Sequence, residues 1–202
     1  RAKLGLIDRI LYARNTEIKK VESSFEERSF LDSNHLMGYT PSTTAWGLFY
    51  NDRLVFICTF GHIRFSSESG HELIRLCTQK NTVVVGGFSR LMKHHVNQTN
   101  PTRIISYADR RWSSLKTNTY QHIGFDHVKT SKPGYWYFTT YPLKRYHRSN
   151  FTKQTLINKY DADPTKTEFE NMVNMGYDRI WDCGQLKFQW NIKNGPRPDK
   201  KP

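Results

Sequence analysis

Cysteine is scarce in this sequence, which has three such residues, Cys58, Cys77 and Cys183, at wide spacing. An odd number at this spacing excludes a disulfide framework and the paired cysteines of a structural zinc site, and it predicts a reducing compartment. Eight histidines are present without an HxxxH pattern, and the adjacent His94 and His95 would point to different faces of a helix. We therefore expect no metal site, and we expect Cys58 and Cys77, which lie in apolar runs, to be buried core residues.

Long apolar runs are also missing. No segment approaches the length of a membrane span, and the amino terminus lacks the basic-then-apolar pattern of a secretory signal. The sequence therefore predicts no membrane partner. It begins at Arg1 rather than at a methionine, which is consistent with a fragment or processed piece of a protein with an upstream domain.

Acidic residues are few: 18 Asp and Glu stand against 31 Lys and Arg, which gives a formal charge of +13. Such an excess attracts polyanions, so nucleic acid is the default partner, and DNA is the partner we expect. Residues 127–160 contain no acidic residue, and their Lys and Arg alternate with aromatic residues. Two interpretations stay open for this stretch: a groove that meets phosphates and stacks on bases, or a cationic surface over an aromatic core strand. The nucleic-acid-binding candidates are Arg75, Arg110, Arg111, Trp112, Lys129, Lys132, Tyr135, Trp136, Arg145 and Arg148.

The order of predicted elements indicates an α+β protein. Apolar spacing predicts an amphipathic helix over residues 1–15 and a capped helix over 23–31, and strands follow from 44, with a hairpin turn at Asn51 and Asp52. A hairpin is expected from strands 125–130 and 135–141, helices over 151–160 and 167–175, and a paired extension over 177–190. We expect four segments: an amino-terminal helical segment (1–30), a core (31–141), a basic helical and hairpin extension (142–190) and a disordered tail (191–202).

A diglycine, Gly86-Gly87, stands between a predicted strand and the helix that begins near Phe88. Free backbone N–H groups at such a helix start can hold a pyrophosphate, with Ser89 and Arg90 adding a hydroxyl and a charge. The alternative is a tight turn without a ligand, since glycine also serves any position with positive φ.

The run Ser106-Tyr107-Ala108-Asp109-Arg110-Arg111-Trp112 places dense polar chemistry at the end of a predicted strand. Asp109 is a candidate to orient or deprotonate an amine, and Tyr107 or Tyr120 to act as general acid. Arg110 and Arg111 are candidates to grip phosphates. The alternative is an Asp-Arg pair that only ties the strand end to a loop.

The segments ELIRLCTQKNTVVVGGFSRL, IISYADRRWS, YQHIGF, KPGYWYF and GYDRIWDCGQLKF resemble the carboxy-terminal domain found in phage homing endonucleases of the Vsr-like and HNH-like kinds. The same core resembles the GNAT acyltransferase fold and, within it, phage DNA-modification acyltransferases of the Mom type. The matching positions are Arg75-Leu76, Asn81, Ser89, Arg90, the Ser106–Asp109 run and Tyr120.

These resemblances imply a GNAT-like α+β fold, with a mostly antiparallel central sheet splayed around the diglycine turn and flanked by helices. They imply two functions. The first is an accessory DNA-binding domain of a homing endonuclease whose nuclease motif lies in an upstream domain. The second is an acyltransferase that modifies adenine in DNA with acetyl-CoA or another acyl-CoA, in which Asp109, Tyr120, Tyr107 and Ser106 would be catalytic. Either function implies the cytoplasm of an infected host cell.

Overall fold

The computed structural model describes residues 7–63, 69–116 and 118–192. Its helices are α1 (Ser24–Asn34), α2 (Gly87–Thr99), α3 (Thr119–His122), α4 (Lys153–Tyr160) and α5 (Glu168–Asn174). Its strands are β1 (Arg9–Tyr12), β2 (Glu17–Lys20), β3 (Thr44–Tyr50), β4 (Arg53–His62), β5 (His71–Thr78), β6 (Thr82–Val85), β7 (Arg103–Asp109), β8 (Asp126–Thr130), β9 (Tyr135–Thr139), β10 (Lys144–His147), β11 (Asp178–Trp181) and β12 (Gln185–Asn191). Within the described ranges, no helix combines the length and the apolar character needed to cross a membrane.

The chain divides into two compact units. The first comprises the described residues of Arg1–Tyr107, Leu115–Lys129 and Lys187–Pro202, and the second comprises Ala108–Ser114 and Thr130–Leu186. The main sheet has seven strands in the order β2-β3-β4-β5-β7-β12-β8, and a three-stranded sheet has the order β10-β9-β11. The α+β fold class is confirmed, because β2 to β5 pair antiparallel in succession and helices pack on the sheet.

Local signals in the sequence predict most of the first unit correctly. Ser23 accepts a hydrogen bond from the Glu26 backbone N–H and caps α1, which contributes ~1 kcal/mol in typical helices. Asn51 and Asp52 both have positive φ, +49° and +56°, as the tight turn of the β3-β4 hairpin requires. The predicted strand and helix on either side of the diglycine are β6 and α2. Cys58 and Cys77 are buried free thiols, as expected.

The predicted amino-terminal helix is wrong for the described residues 7–15. Arg9–Tyr12 is a strand that pairs parallel with β6, and Ala13–Asn15 is a 3-10 turn. The apolar residues alternate instead of forming one helical face: Leu11 is buried, whereas Ile10 is exposed. Pairing with a strand some 70 positions later satisfies the backbone of this segment, and local periodicity carries no sign of it.

The predicted hairpin of residues 125–141 is also wrong. β8 belongs to the seven-stranded sheet, whereas β9 is the middle strand of the three-stranded sheet. The SKPG segment between them is held by residues far along the chain: the Ser131 N–H donates to the Gln185 carbonyl, and the Gly134 N–H donates to the Asp182 carboxylate, both at 2.8 Å. β11 and β12, which were predicted to pair with each other, also lie in different sheets: β11 is next to β9, and β12 is next to β8.

The second unit has an aromatic core. Its buried cluster consists of Tyr137, Phe151, Leu156 and Met172, against which further aromatic residues pack. α4 and α5 form as predicted, and α5 begins with the expected capping box between Thr167 and Glu170. The predicted disordered tail lies, from residue 193 onward, outside the described residues.

Candidate active site

Two neighbouring strands of the first unit pair over a short length and then continue. β5 and β7 run parallel and are in register from His71–Leu73 with Ile104–Ser106, while β5 extends to Thr78 and β7 beyond Ser106. Ser106 stands at the last paired position. Its buried hydroxyl donates to the carbonyl of Leu73 on β5 at 3.0 Å, which fixes the point from which the two strands extend.

Tyr120, on α3, brings a phenol to this point. Its hydroxyl oxygen lies 3.2 Å from Ser106 Oγ, and Asn118 caps the short helix by accepting from the Tyr120 backbone N–H. The ring stacks on Phe188, with ring centroids 5.1 Å apart. Burial raises the pKa of Tyr120, so the phenol keeps its proton at neutral pH. Ser106 and Tyr120, two of the four catalytic candidates, therefore lie together. Tyr107, the next residue on β7, is more exposed, and its ring lies near Lys187.

The diglycine forms the start of α2. Gly86 occupies the N-cap position with φ +75°, a left-handed conformation, and no side chain caps the helix there. Gly87 is buried, and a Cβ at this position would meet Val84 and Leu48 side chains at 3.1–3.2 Å. The N-cap residue therefore offers no side-chain acceptor to the backbone N–H groups of the first turn, which is the arrangement that suits a phosphate.

Arg90 does not serve this turn as the sequence predicts. Its guanidinium donates to the backbone carbonyls of Ala13 and Thr16, the latter at 2.9 Å, and so ties the amino-terminal 3-10 turn to α2. Ser89 donates from its hydroxyl to the Gly86 carbonyl at 3.1 Å. Both contacts are structural, so backbone N–H groups are what this helix start offers to an anion.

Asp109 lies in the second unit and forms the Asp-Arg pair that the sequence left open. Its carboxylate accepts from the Arg111 backbone N–H at 2.8 Å and from the Arg111 guanidinium. This bonding holds the pKa of Asp109 below its usual value. A carboxylate with a lowered pKa is a weak proton acceptor, so this geometry favours the structural interpretation of Asp109.

The other nucleic-acid candidates have varied surroundings. Arg75 donates to the backbone carbonyls of Gly38 and Ile74, and Arg110 donates to the carbonyl of Cys183 at 3.1 Å. The guanidinium carbon of Arg145 lies 4.6 Å from the Trp136 ring centroid, and that of Arg148 lies 5.2 Å from the Tyr135 centroid. Lys129, Lys132 and Trp112 are exposed. Within residues 127–160, Tyr137 is core whereas Arg145 is on the surface, which agrees with a cationic surface over an aromatic core strand; the nucleic-acid groove stays a prediction.

A histidine network in the first unit was not predicted. The Trp46 indole N–H donates to His95 Nδ1 at 3.1 Å, and His95 Nε2 lies 2.8 Å from His71 Nδ1. Because an indole can only donate, neutral His95 carries its proton on Nε2 and donates it to His71. Burial lowers the pKa of His95 to about 3 and also lowers the pKa of His71. In the described part of the chain, no group of His, Cys, Asp or Glu has a geometry that could hold a metal ion.

Glu72 is a further acidic residue of interest in the first unit. It is a buried carboxylate on β5, one position before Leu73, and it is in register with Ile105 on β7. The signal in the sequence is a single acid inside the otherwise apolar strand HELIRLCT. Buried acids in such strands are retained when they have partners, and they are common at active sites.

The chain has the GNAT acetyltransferase fold. It is similar to the ribosomal-protein-S18-alanine N-acetyltransferase of Escherichia coli, with a TM-score of 0.53, 8% identity, and coverage of 90% of this chain and 97% of that chain. It is also similar to a Bacillus subtilis acetyltransferase in complex with CoA, with a TM-score of 0.50, 12% identity, and coverage of 88% and 99% respectively. No protein-family model and no curated protein matches the sequence.

Proposed function

We propose that this chain is an acyl-CoA-dependent acyltransferase whose acceptor is DNA. One observation carries the proposal: the hydroxyl of Tyr120 lies 3.2 Å from the hydroxyl of Ser106, which stands at the last paired position of β5 and β7. The uncapped start of α2 is the second support, because Gly86 and Gly87 leave backbone N–H groups for a pyrophosphate. These residues fit an acyl-CoA.

An acyl-CoA would supply an activated thioester. The α2 start would hold its diphosphate, and Tyr120 would hold a proton at its hydroxyl oxygen for donation as general acid. Ser106 orients that phenol, since its own hydroxyl is anchored on the Leu73 carbonyl.

The DNA acceptor rests on charge and on resemblance. A formal charge of +13 favours a polyanion, and the S-Y-A-D run and the later tyrosine resemble Mom-type enzymes that modify adenine. A phage DNA-processing role in an infected host cell follows from that resemblance and is part of the proposal.

Titration calorimetry with acetyl-CoA, followed by mass spectrometry of nucleosides after incubation with DNA, tests this function. We expect heat of binding and an added acyl mass on a base. Tyr120→Phe should keep acetyl-CoA binding and lower the transfer rate by about 10²–10⁴-fold, the usual contribution of a general acid. Tyr160→Phe, at an exposed tyrosine of the second unit, is the matched control and should leave the rate unchanged. Absence of both heat and mass change would refute the proposal.

A second function is supported by the role of Arg90. Because the Arg90 guanidinium is bound to the carbonyls of Ala13 and Thr16, the diglycine turn offers less positive charge to an acyl-CoA diphosphate than the sequence predicts. A GNAT-like module that binds DNA without turnover, as an accessory domain of a homing endonuclease, would need no donor site. It would show salt-dependent DNA binding with no heat on addition of acetyl-CoA.

A further inference from the structure

The three-stranded sheet of the second unit has two chemically different faces. Tyr137 is opposite Tyr146 and Arg179 in the register, and these side chains share the face that carries the buried aromatic core. The adjacent positions of each strand point the other way, because side chains alternate along a strand. We call that second surface the outer face, and it is formed by Trp136, Phe138, Arg145, His147, Asp178 and Ile180.

Aromatic and apolar surface is accessible on the outer face. Ile180 is 54% exposed, and Trp136 and Phe138 are half-buried. The Arg145 guanidinium carbon lies 4.6 Å from the Trp136 centroid, and the His147 ring meets Trp136 edge-on at 4.8 Å. The tryptophan and the guanidinium are therefore already stacked before any ligand arrives.

One edge of this sheet is basic, whereas the outer face itself carries one arginine, Arg145, and one acid, Asp178. Residues 130–160 contain six basic residues and no acidic residue, and β10, at the edge of the sheet, contributes Lys144 and Arg145. Phosphate groups along β10 would meet the positive charges of Lys144 and Arg145.

We propose that the outer face binds unpaired nucleotides of single-stranded nucleic acid, with bases on Trp136, Arg145 and Phe138 and phosphates along β10. A ring on a sheet can stack only on a base whose flat face is free, whereas a duplex offers base edges in its grooves. The inference deepens the DNA part of the proposed function: an acyl acceptor on a base must leave the duplex stack, and this face would hold the opened strand.

Fluorescence anisotropy with the full chain tests the proposal, using a labelled 12-nucleotide oligothymidylate and a labelled 12-base-pair duplex. We expect the single strand to bind more tightly than the duplex. Trp136→Leu should weaken single-strand binding by about tenfold, in line with the usual contribution of one stacked base, and Trp136→Phe should restore most of it. Acetyl-CoA binding, measured on the same variants, should stay unchanged.

Arg145→Ala and Arg53→Ala form a matched pair, since each removes one exposed arginine from a strand. Arg145→Ala should weaken single-strand binding several-fold more than Arg53→Ala does, and it remains informative if Trp136→Leu fails to fold. Equal losses in the two variants, or a duplex that binds as tightly as the single strand, would overturn the proposal. If the wild type binds the oligothymidylate as expected but gives no heat with acetyl-CoA, the acyltransferase function is refuted, and the proposal that the outer face binds single strands is still supported.

Discussion

Each unit of this protein holds a tyrosine whose pKa is raised by burial, and the two tyrosines differ in what their hydroxyls meet. In the first unit, the Tyr120 hydroxyl meets Ser106 where β5 and β7 extend beyond their pairing. In the second unit, the Tyr137 hydroxyl donates to Glu168 at 2.9 Å, and Tyr135 donates to the same carboxylate oxygen. A raised pKa alone therefore does not mark an active site: Tyr137 is enclosed in a core, and its hydroxyl is bound to a carboxylate, whereas that of Tyr120 meets a serine hydroxyl.

The largest expected effect is on the stability of the second unit, which contains Tyr137. Tyr137→Ala should lower the free energy of unfolding by about 3–5 kcal/mol, the usual cost of removing a buried aromatic side chain. Tyr141→Ala, at a residue 96% exposed, should change it by less than about 0.5 kcal/mol. Urea titration followed by circular dichroism measures both. Similar values for the two variants would mean that the second unit does not depend on its aromatic cluster.

The next effect is a fall in the free energy of unfolding of the first unit in acid. His95 and His71 have lowered pKa values in the folded chain, so below pH 6.5 the unfolded chain binds protons that the folded chain does not. The contribution of each such histidine to the free energy of unfolding should be fully present above pH 6.5. Below that pH it should fall by about 1.4 kcal/mol per pH unit, down to the histidine's folded pKa, which is about 3 for His95.

Denaturant titrations from pH 7.5 to pH 4 measure this slope. His95→Gln should lower stability at pH 7.5 and flatten the slope by about one proton equivalent. An unchanged slope in His95→Gln would show that the network does not control the acid response.

Sequence reasoning succeeded where a local signal decides the structure. The Ser23 cap, the Asn51-Asp52 turn and the diglycine before α2 each act within a few residues, and each predicted its element. It failed for β1 and for the hairpin of residues 125–141, because their partners, β6, β12 and β11, lie far along the chain. Local spacing cannot choose among distant strands of similar composition.

The candidate site followed the same rule. Ser106, Tyr120 and the diglycine could be proposed from motif order, and the structure brings Ser106 and Tyr120 together. The bonding of Arg90 to Ala13 and Thr16 could not be foreseen, because it depends on where β1 pairs. The phenol and the backbone of α2 are thus predictable from the sequence, whereas the partners of the charged side chains are not.

Smaller effects on stability and acetyl-CoA affinity are expected when one glycine of each unit is replaced by alanine. Gly86 and Gly176 have nearly equal left-handed φ values, +75° and +81°, and a Cβ at either would meet nothing closer than 3.8 Å. Alanine at each should therefore cost a similar ~1–2 kcal/mol of backbone strain in the free energy of unfolding. Only Gly86→Ala should also weaken acetyl-CoA binding, by about tenfold, the equivalent of one lost charge-assisted hydrogen bond. Equal affinities in the two variants would remove the α2 start from the donor site.

The smallest effect concerns Asp109, which sequence resemblance places among the catalytic residues and the geometry places in a pair with Arg111. Asp109→Asn removes one partner of a part-exposed ion pair, so it should lower the free energy of unfolding by at most about 1 kcal/mol. If the carboxylate only holds Arg111, the acyl-transfer rate should stay within about twofold, because a carboxylate with a lowered pKa contributes little as a base. Asp163→Asn, another carboxylate of the second unit with a lowered pKa, is the control for both measurements. A loss of about 100-fold in Asp109→Asn alone, with the fold intact, would return Asp109 to the catalytic set, because that is the size expected when a general base is removed.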